Sequence, residues 1–409
     1  MLSANDELER VARESYGRLV AYLSRDTHDL GAAEDLLCDA ITKALTKWPE
    51  QGIPDRPEAW LLRVARNRLI DQQRQRERHR RAIQQLEIAM EAFAPEALAD
   101  RAPIDHRLSL MFACSHPEID SDLRTALILN VILGVPAEQL GSAFLVKPAT
   151  MSQRLVRAKK RIRDLQLSLD LPESEEQSAR LHSVLDAVYG AYALGWEYLP
   201  SRSENSQSLD REALWLSELL ANEFAEIGEA QALHALLLYN ESRRSCRTDD
   251  AGAFVPLDRQ NPEEWDAVLI DRADQRLRAA SENMTFGRYQ LEAAIQSAQI
   301  EGLRDGRVDH DVILLLYEGL LQHHPSVGAL VAYAAAAHAG GDLDLAEQLL
   351  GRVDAATVSR YHCFWVVLAH INRDRGNQEQ FHQAKQRALS LTTDARMREF
   401  LDRELSFGN

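Results

Sequence analysis

The sequence predicts an all-α protein, and three observations support that prediction. Apolar residues recur every three or four positions through most of the 409 residues, and no convincing stretch alternates apolar and polar residues as a half-buried strand does. Glycine and proline cluster in short breaks between the periodic segments, as in "PEQGIPDRP". Two segments near the C-terminal end also resemble each other, which is typical of stacked helical repeats.

The first part of the chain reads as three helices. Residues 6–24 form one, and residues 31–48, with a continuous apolar stripe, form the second. Residues 58–81 form the third, in which apolar positions at helical spacing are surrounded by eight arginines. We therefore predict a helical domain over 1–82, followed by an acidic linker containing Ala and Pro over 83–104.

The next part, over 121–165, has the pattern of three short helices. The first ends at Gly134, a typical residue just after a helix, and Pro136 can open the second. After the short turn "LVK", Pro148 opens the last. Short helices joined by a tight turn, with a basic final helix, predict a helix-turn-helix domain over 105–168.

The remaining segment, 175–409, is acidic and rich in Ala and Leu. Two stretches in it, "AYAAAAHAGGDLDLAEQLL" and "VLAHINRDRGNQEQFHQAKQRAL", align on Gly341 and Gly376, which are 35 residues apart. Tetratricopeptide repeats have a period of about 34 residues. A weaker unit is predicted over 212–244, so we expect a tetratricopeptide-like helical domain.

Charge is distributed unevenly between these parts. The net charge is −16, yet residues 1–166 contain 25 Lys and Arg against 24 Asp and Glu, whereas residues 167–409 contain 22 against 39. Six of the fourteen residues of "SQRLVRAKKRIRDL" (152–165) are basic. A concentrated basic helix beside an acidic domain favours a nucleic-acid contact, which the average charge conceals.

Several other classes of site and location are disfavoured. The N-terminal sequence lacks the apolar core of a signal peptide, and no apolar run reaches the roughly 18 residues that a membrane span needs, so we expect a cytoplasmic protein without membrane contact. The four cysteines form no C-x-x-C pair. Cys114 and His116 give only two ligands where tetrahedral zinc needs four, so no metal is expected.

The basic helix that Pro148 opens has the residue types that read DNA. The N-terminal half of a recognition helix enters the major groove, where Arg binds guanine, Gln binds adenine, and Ser or Thr suits a base or a phosphate. The residues of these types in its first turns are Thr150, Ser152, Gln153, Arg154 and Arg157. Lys159, Lys160, Arg161 and Arg163 suit the DNA backbone better. A merely solvated basic face is the alternative.

The arginine-rich helix over 58–81 has a second such surface. Asn67, Asp71, Gln72 and Gln73 place hydrogen-bonding groups beside the arginines. This mixture suits a surface that follows a phosphate backbone while it reads exposed bases. The alternatives are a solvated arginine face and, for Trp60, a core position.

Three segments in order, "AEDLLCDAITKALTKW", "EAWLLRVARNRLIDQQRQ" and "FLVKPATMSQRLVRAKKRI", resemble regions 2.2, 2.3–2.4 and 4.2 of an extracytoplasmic-function (ECF) RNA polymerase sigma factor. "RLSLMFACSHPEI" and the long tail resemble the subgroup with a tetratricopeptide-like C-terminal extension. The resemblance implies sigma region 2 and region 4 domains, core RNA polymerase (β′ clamp helices and β flap) and promoter DNA as partners, no cofactor and no catalytic residue.

The resemblance also implies roles for individual residues. Asp35, Leu36 and Asp39 would bind the clamp helices, although Cys38 stands where many members have Gln. The −10 element would be read and melted by Trp60, Arg63, Arg66, Asn67, Arg68, Asp71 and Arg74. The −35 element would be read by Thr150, Ser152, Gln153, Arg154, Arg157, Lys159 and Lys160, with Lys147, where many members have a capping Ser, available to a phosphate.

The tail and the overall function leave alternatives open. The acidic tail would cover the basic faces until a signal or a partner releases it, or would dock a protein partner, or would only add solubility. The main alternative function is a helix-turn-helix operator-binding regulator with a helical-repeat sensor, and a repeat scaffold is a third. We find no Gly-rich phosphate loop, nucleophile elbow or H-E-x-x-H motif, so we expect no enzyme.

Overall fold

The computed structural model describes residues 4–84, 106–144, 146–167, 172, 174–197, 204–282, 286–354, 358–359, 361–392 and 394–405. Within these ranges the regular structure is helical, and an isolated bridge between Thr248 and Phe254 is the only β pairing. The all-α prediction is confirmed.

The chain divides into two compact units, Met1–Ala191 and Tyr192–Asn409. The segments predicted as the region 2 and region 4 domains both lie in the first unit. The division falls within a helix, inside the segment predicted as the C-terminal domain. The helices of the first unit are α1 (Ala4–Thr27), α2 (Leu30–Gln51), α3 (Pro57–Gln84), α4 (Arg107–Cys114), α5 (Ser121–Leu133), α6 (Ala137–Ala143), α7 (Pro148–Asp164) and most of α8 (Ser174–Glu197).

Helices α1, α2 and α3 lie where the first three helices were predicted, and they pack on one another. The Asp29 side chain caps α2 by accepting hydrogen bonds from the amides of Gly31 and Ala32, which satisfies two donors that a helix start leaves free. Trp48 is 2% exposed, and its ring meets Trp60 of α3 edge to face at 5.7 Å. Helix α3 extends to Gln84, and the rest of the predicted linker, from 85 onward, lies outside the described residues.

Helices α5, α6 and α7 occupy the positions predicted for the basic DNA-reading domain. Helix α5 ends at Gly134, which adopts the left-handed conformation (φ 65°) and donates its amide hydrogen to the Leu129 carbonyl. Pro148 lies in the first turn of α7, where a missing amide hydrogen costs nothing. Both predicted helix boundaries are confirmed.

The two helical groups of the first unit touch directly. Helix α1 packs against α5, and α2 packs against α7. A methyl group added at Gly17 would lie 1.9 Å from the carbonyl oxygen of Ile132, so only glycine allows the α1 and α5 backbones to approach this closely. The ring of Tyr16 lies beside Gly134.

The second unit continues with helices and short 3₁₀ turns. After α10, the segment Arg244–Arg247 forms one such turn. The helices are α9 (Glu204–Glu223), α10 (Gly228–Ser242), α11 (Ala267–Ser281), α12 (Arg288–Arg304), α13 (His310–His323), α14 (Val327–Ala339), α15 (Leu343–Leu350), α16 (His362–Asp374), α17 (Gln378–Leu391) and α18 (Ala395–Glu404).

In three helix pairs of the second unit, the two helices are joined by the same type of turn. Gly306, Gly341 and Gly376, spaced 35 residues apart, are left-handed, with φ of 72°, 88° and 75°. In each, the residue after the glycine donates to the carbonyl five positions earlier, as Asp342 does to Ala337. The pairs α14–α15 and α16–α17 match the two aligned stretches, whereas α12–α13 is a further unit that the sequence analysis missed. The weaker 212–244 unit covers parts of α9 and α10 and has no such glycine turn.

Candidate nucleic-acid interface

Helix α7 has one buried face and one exposed basic face. Met151, Leu155, Ala158 and Ile162 recur every three or four residues and are at most 6% exposed, because α7 packs against α5 and α6. The predicted DNA-contacting residues that lie on the exposed face are Lys147, Thr150, Ser152, Gln153, Arg154, Arg157 and Lys160. The structure therefore brings seven of the eight predicted residues to one solvent-facing surface.

The C-terminal half of α7 turns its cations toward acidic neighbours. Lys159 donates from Nζ to both carboxylate oxygens of Glu34 on α2, at 2.6 and 2.7 Å, and the two side chains are only 16% and 18% exposed. Arg163 pairs with Asp29 at 3.3 Å and Arg161 with Glu118 at 2.5 Å. Lys159 is thus the predicted DNA contact that this arrangement keeps away from solvent.

A groove runs beside the exposed face of α7. It has a volume of about 410 Å³ and lies between α7 and the loop that precedes α5. Arg154, Arg157 and Arg161 line one side, and Glu118 and Asp120 line the other. Acidic groups therefore stand close to the arginines that are the strongest candidates for base contacts.

The predicted −10 surface of α3 is partly exposed and partly paired. Arg63, Asn67 and Asp71 are exposed and lie four residues apart, so they form one row along the helix. Trp60 is half-buried against Trp48. The side chain of Arg74 lies outside the described residues.

Two other arginines of α3 are held by neighbouring helices. Arg66 donates from Nε to Asp26 at 2.8 Å, and its guanidinium lies 5.2 Å above the centre of the Tyr22 ring. Arg68 pairs with Asp39 of α2 at 3.2 Å, with both side chains about half exposed. Arg68, a predicted DNA contact, and Asp39, a predicted polymerase contact, are therefore the two partners of one ion pair. Ion pairs as exposed to solvent as this one contribute little to folding stability.

The predicted polymerase-binding surface of α2 is acidic. Asp35 and Asp39 are exposed one helical turn apart, with Cys38 beside them. Partial burial and the nearby carboxylates of Asp35, Glu34 and Asp39 raise the pKa of the Cys38 thiol, which keeps it protonated. Leu36 is 2% exposed and lies in the core, so it supports this surface from beneath.

The described residues contain no group of three or more His, Cys, Asp or Glu side chains that could hold a metal ion. Cys114 is fully buried, and burial raises the pKa of its thiol to about 12. His116 instead accepts a hydrogen bond at Nδ1 from the amide of Glu118, at 3.1 Å. Among the helices in the described ranges, none is both long and apolar enough to cross a bilayer.

Two partners of the basic helix were not foreseen from the sequence. Glu34 and Asp29 hold Lys159 and Arg163, which are 125 and 134 residues away along the chain. Local periodicity contains no information about a pairing at that separation. The packing of α2 against α7 brings these groups together.

Comparison with known proteins gives matches over most of the chain. Residues 11–79 match Sigma-70 region 2, and residues 180–281 match a family of unknown function (DUF6596). Uncharacterized protein R00370 of Rhizobium meliloti (strain 1021) is 31% identical over 390 residues, which cover 93% of this chain and 90% of that protein.

A second relative is the ECF RNA polymerase sigma factor SigE of Mycolicibacterium smegmatis. It is 30% identical over 169 residues, which cover 39% of this chain and 60% of that protein. No solved structure matches.

Proposed function

The chain belongs to the ECF sigma factors that carry a long C-terminal extension, and we propose that it binds core RNA polymerase and directs it to promoters with −10 and −35 elements. The polymerase performs the chemistry, and this protein supplies recognition. Since core polymerase and promoter DNA are its partners, we place it in the cytoplasm.

The observation that best supports this proposal is that one unit has two separate exposed surfaces, on α7 and on α3, whose side chains suit DNA. Helix α7 presents Thr150, Gln153, Arg154 and Arg157 on a rigid element whose other face is buried. That geometry suits insertion of a helix-turn-helix into the major groove at the −35 element. Lys147 and Lys160 flank this row and suit phosphates, which fix the position of the helix.

Helix α3 has the chemistry for the −10 element. The row of Arg63, Asn67 and Asp71 offers donors and acceptors to bases, and the half-buried ring of Trp60 lies one turn before it. Opened bases are held by stacking and hydrogen bonds, which offset part of the cost of unstacking them. We propose that Trp60, Arg63, Asn67, Arg68 and Asp71 contact the non-template strand, with Arg66 positioned by Asp26 and Tyr22.

Helix α2 is the proposed dock for the β′ clamp helices, and the helix-turn-helix domain is the proposed contact of the β flap. Asp35 and Asp39 present two carboxylates on one exposed face. Charge complementarity of this kind contributes mainly to specificity and to the association rate. Leu36 is assigned an indirect role, because it holds α2 in place from the core.

The second unit, Tyr192–Asn409, is called the C-terminal unit from here on. It is proposed to be a tetratricopeptide-like domain that docks a protein partner or regulates the sigma domains. Three helix pairs at a 35-residue spacing support the repeat assignment. The alternative, an operator-binding regulator with a helical-repeat sensor, accounts for α7 and the tail. It does not account for the region 2 match over 11–79.

Polymerase binding separates these two functions. Purified full-length protein is mixed with core RNA polymerase, and the dissociation constant is measured for wild type, for the double variant Asp35→Lys with Asp39→Lys, and for Asp55→Lys as a control. Asp55 is exposed in the loop before α3, outside the proposed dock. We expect wild type and the control to bind alike and the double variant to bind at least tenfold more weakly. Tight binding to DNA without any binding to polymerase would favour the operator-binding regulator.

A further inference from the structure

Three arginines, one buried and two partly buried, form a cluster in the C-terminal unit. Arg243, Arg244 and Arg247 lie at the end of α10 and in the 3₁₀ turn that follows. Their guanidinium carbons lie 5.6, 5.0 and 3.9 Å from the centre of the Trp196 ring. Trp196 also stacks on Tyr192, with 5.5 Å between ring centres.

Among the described residues, two carboxylates form ion pairs in this cluster, and they do not neutralise its three arginines. Arg244 takes both of them, with Nη1 2.8 Å from Asp210 and Nε 2.7 Å from Glu241. Within the described ranges, Arg243 donates to the neutral side-chain oxygens of Asn240, at 2.7 Å, and Gln296, at 3.1 Å.

Arg247 is the least compensated member of the cluster. It is 5% exposed, and its buried Nη1 has no hydrogen-bond acceptor in the described part of the chain. A buried charge normally has an ionic partner, because removal from water is costly. The pKa of Arg243 and that of Arg247 are each lowered to about 10, by burial at Arg243 and by burial together with the neighbouring charges of Arg243 and Arg244 at Arg247. These groups remain charged at neutral pH.

Other polar atoms around the cluster are also left over. Arg243 Nε, Arg244 Nη2 and Asp210 Oδ1 are buried without a hydrogen bond among the described residues. Buried polar atoms in folded proteins are nearly always satisfied, so a cluster of exceptions among the described residues points to a place where a further polar partner binds. Most of the unsatisfied atoms here are cationic donors, so they select an acceptor that is negatively charged.

We propose that the C-terminal unit binds a small oxyanion at Arg243, Arg244 and Arg247. The planar guanidinium fork binds a carboxylate or a phosphate through two parallel hydrogen bonds, and either group supplies the missing charge. Trp196 and Tyr192 form an aromatic wall that holds the arginines in place. The site gives the extension a small-molecule ligand, independently of its partner proteins and of the sigma domains.

A groove elsewhere in the same unit has a different balance of charges. It has a volume of about 710 Å³ between α11 and α12, and Tyr239 at its base donates a hydrogen bond to Asp274. Three carboxylates, those of Asp274, Glu301 and Asp305, face two arginines there. Carboxylates therefore outnumber arginines among the described residues of that groove, whereas arginines outnumber carboxylates in the cluster.

The test is calorimetric binding of inorganic phosphate and of acetate to the full-length protein, at constant ionic strength in chloride. We expect saturable binding of at least one of the two anions by wild type, with one site per chain. Arg247→Gln should weaken it at least tenfold, and Arg247→Lys should weaken it less because the charge stays. Arg272→Gln, which removes an exposed arginine paired with Glu218, should bind as wild type does.

Thermal unfolding in chloride alone keeps the proposal falsifiable if a variant is unstable. Because that buffer contains no oxyanion to pair with Arg247, Arg247→Gln should melt at or above the temperature of wild type, and phosphate or acetate should raise the melting temperature of wild type and of Arg272→Gln more than that of Arg247→Gln. The proposal is overturned if neither anion binds wild type, if Arg247→Gln binds equally well, or if Arg247→Gln melts lower without added anion. The last result would mean that the protein already supplies the partner of Arg247.

Discussion

Helix α7 and the Arg243–Arg247 segment are both rich in arginine, yet they place it in opposite environments. On α7, Arg154 and Arg157 project into solvent from a helix whose other side is buried. In the C-terminal unit, Arg247 is buried against an indole ring, and its Nη1 has no hydrogen-bond acceptor among the described residues. Exposed arginines can exchange water for the phosphates and bases of a large partner, whereas the oxyanion that we propose for the buried cluster must be small.

The largest effect is expected from the exposed arginines. Arg154→Ala with Arg157→Ala removes the two best candidates for guanine contacts, each worth about 1–3 kcal/mol of base discrimination. Transcription from promoters that depend on the wild-type protein should fall by about two orders of magnitude. Arg161→Ala is the matched control, because that arginine is paired with Glu118. An equal loss in the control would mean that overall charge, not base reading, is what α7 contributes.

The packing that holds α7 against the first three helices depends on Gly17. Gly17→Ala places a methyl group 1.9 Å from the Ile132 carbonyl oxygen, so α1 and α5 must separate. We expect a loss of about 1–3 kcal/mol in the free energy of unfolding, measured in urea. Gly190 lies inside α8, and a methyl group added there would have its nearest neighbour atom at 3.9 Å. Gly190→Ala should therefore raise the free energy of unfolding by about 0.5–1 kcal/mol. Equal effects of the two substitutions would show that α1 and α5 do not pack closely in solution.

A buried histidine differs from these arginines because its side chain can lose its charge by releasing a proton. His234 is 1% exposed and bonded to Ser217, and burial, with a smaller effect of Arg276 and Arg272, lowers its pKa to about 3. The unfolded chain takes up this proton near pH 6.5 and the folded chain does not, so stability falls as the pH drops from 6.5 toward 3. The loss at pH 5 is about 2 kcal/mol.

The measurement for His234 is the change in unfolding free energy between about pH 7.5 and pH 5. His234→Asn should show a change smaller by about 2 kcal/mol than wild type. His323→Asn, which alters an exposed histidine of α13, should keep the wild-type change. If His234→Asn has the same pH dependence as wild type, the imidazole is not buried as the structure has it.

The smallest effect concerns Lys159, the exception among the predicted contacts on α7. Glu34→Gln removes the carboxylate that holds its ammonium group. The freed lysine should add one phosphate contact, which steepens the salt dependence of DNA binding by about 0.9 in the log–log slope. Glu50→Gln, an exposed change at the end of α2, should leave the slope as it is. An unchanged slope for Glu34→Gln would mean that Lys159 faces away from DNA in the wild type and in the variant.

The sequence predicted the features that arise from neighbouring residues. Gly134 and Pro148 mark helix ends because their backbone preferences are local, and the exposed face of α7 follows from its apolar positions. The Lys159–Glu34 pair was not predictable, since the two residues meet only through tertiary packing. The α12–α13 pair was missed because only its turn glycine, Gly306, repeats clearly in the sequence. The arginine cluster was hidden within a segment whose average charge is acidic.

The central claim, that this chain is a promoter-recognising subunit of RNA polymerase, is tested most directly by in vitro transcription. Purified core polymerase is supplied with a pool of bacterial promoter fragments, with and without the full-length protein, and transcript starts are mapped. We predict new starts that appear only with the protein and share a −10 and a −35 element. The account is contradicted if no protein-dependent start appears although the protein binds DNA tightly in the absence of polymerase.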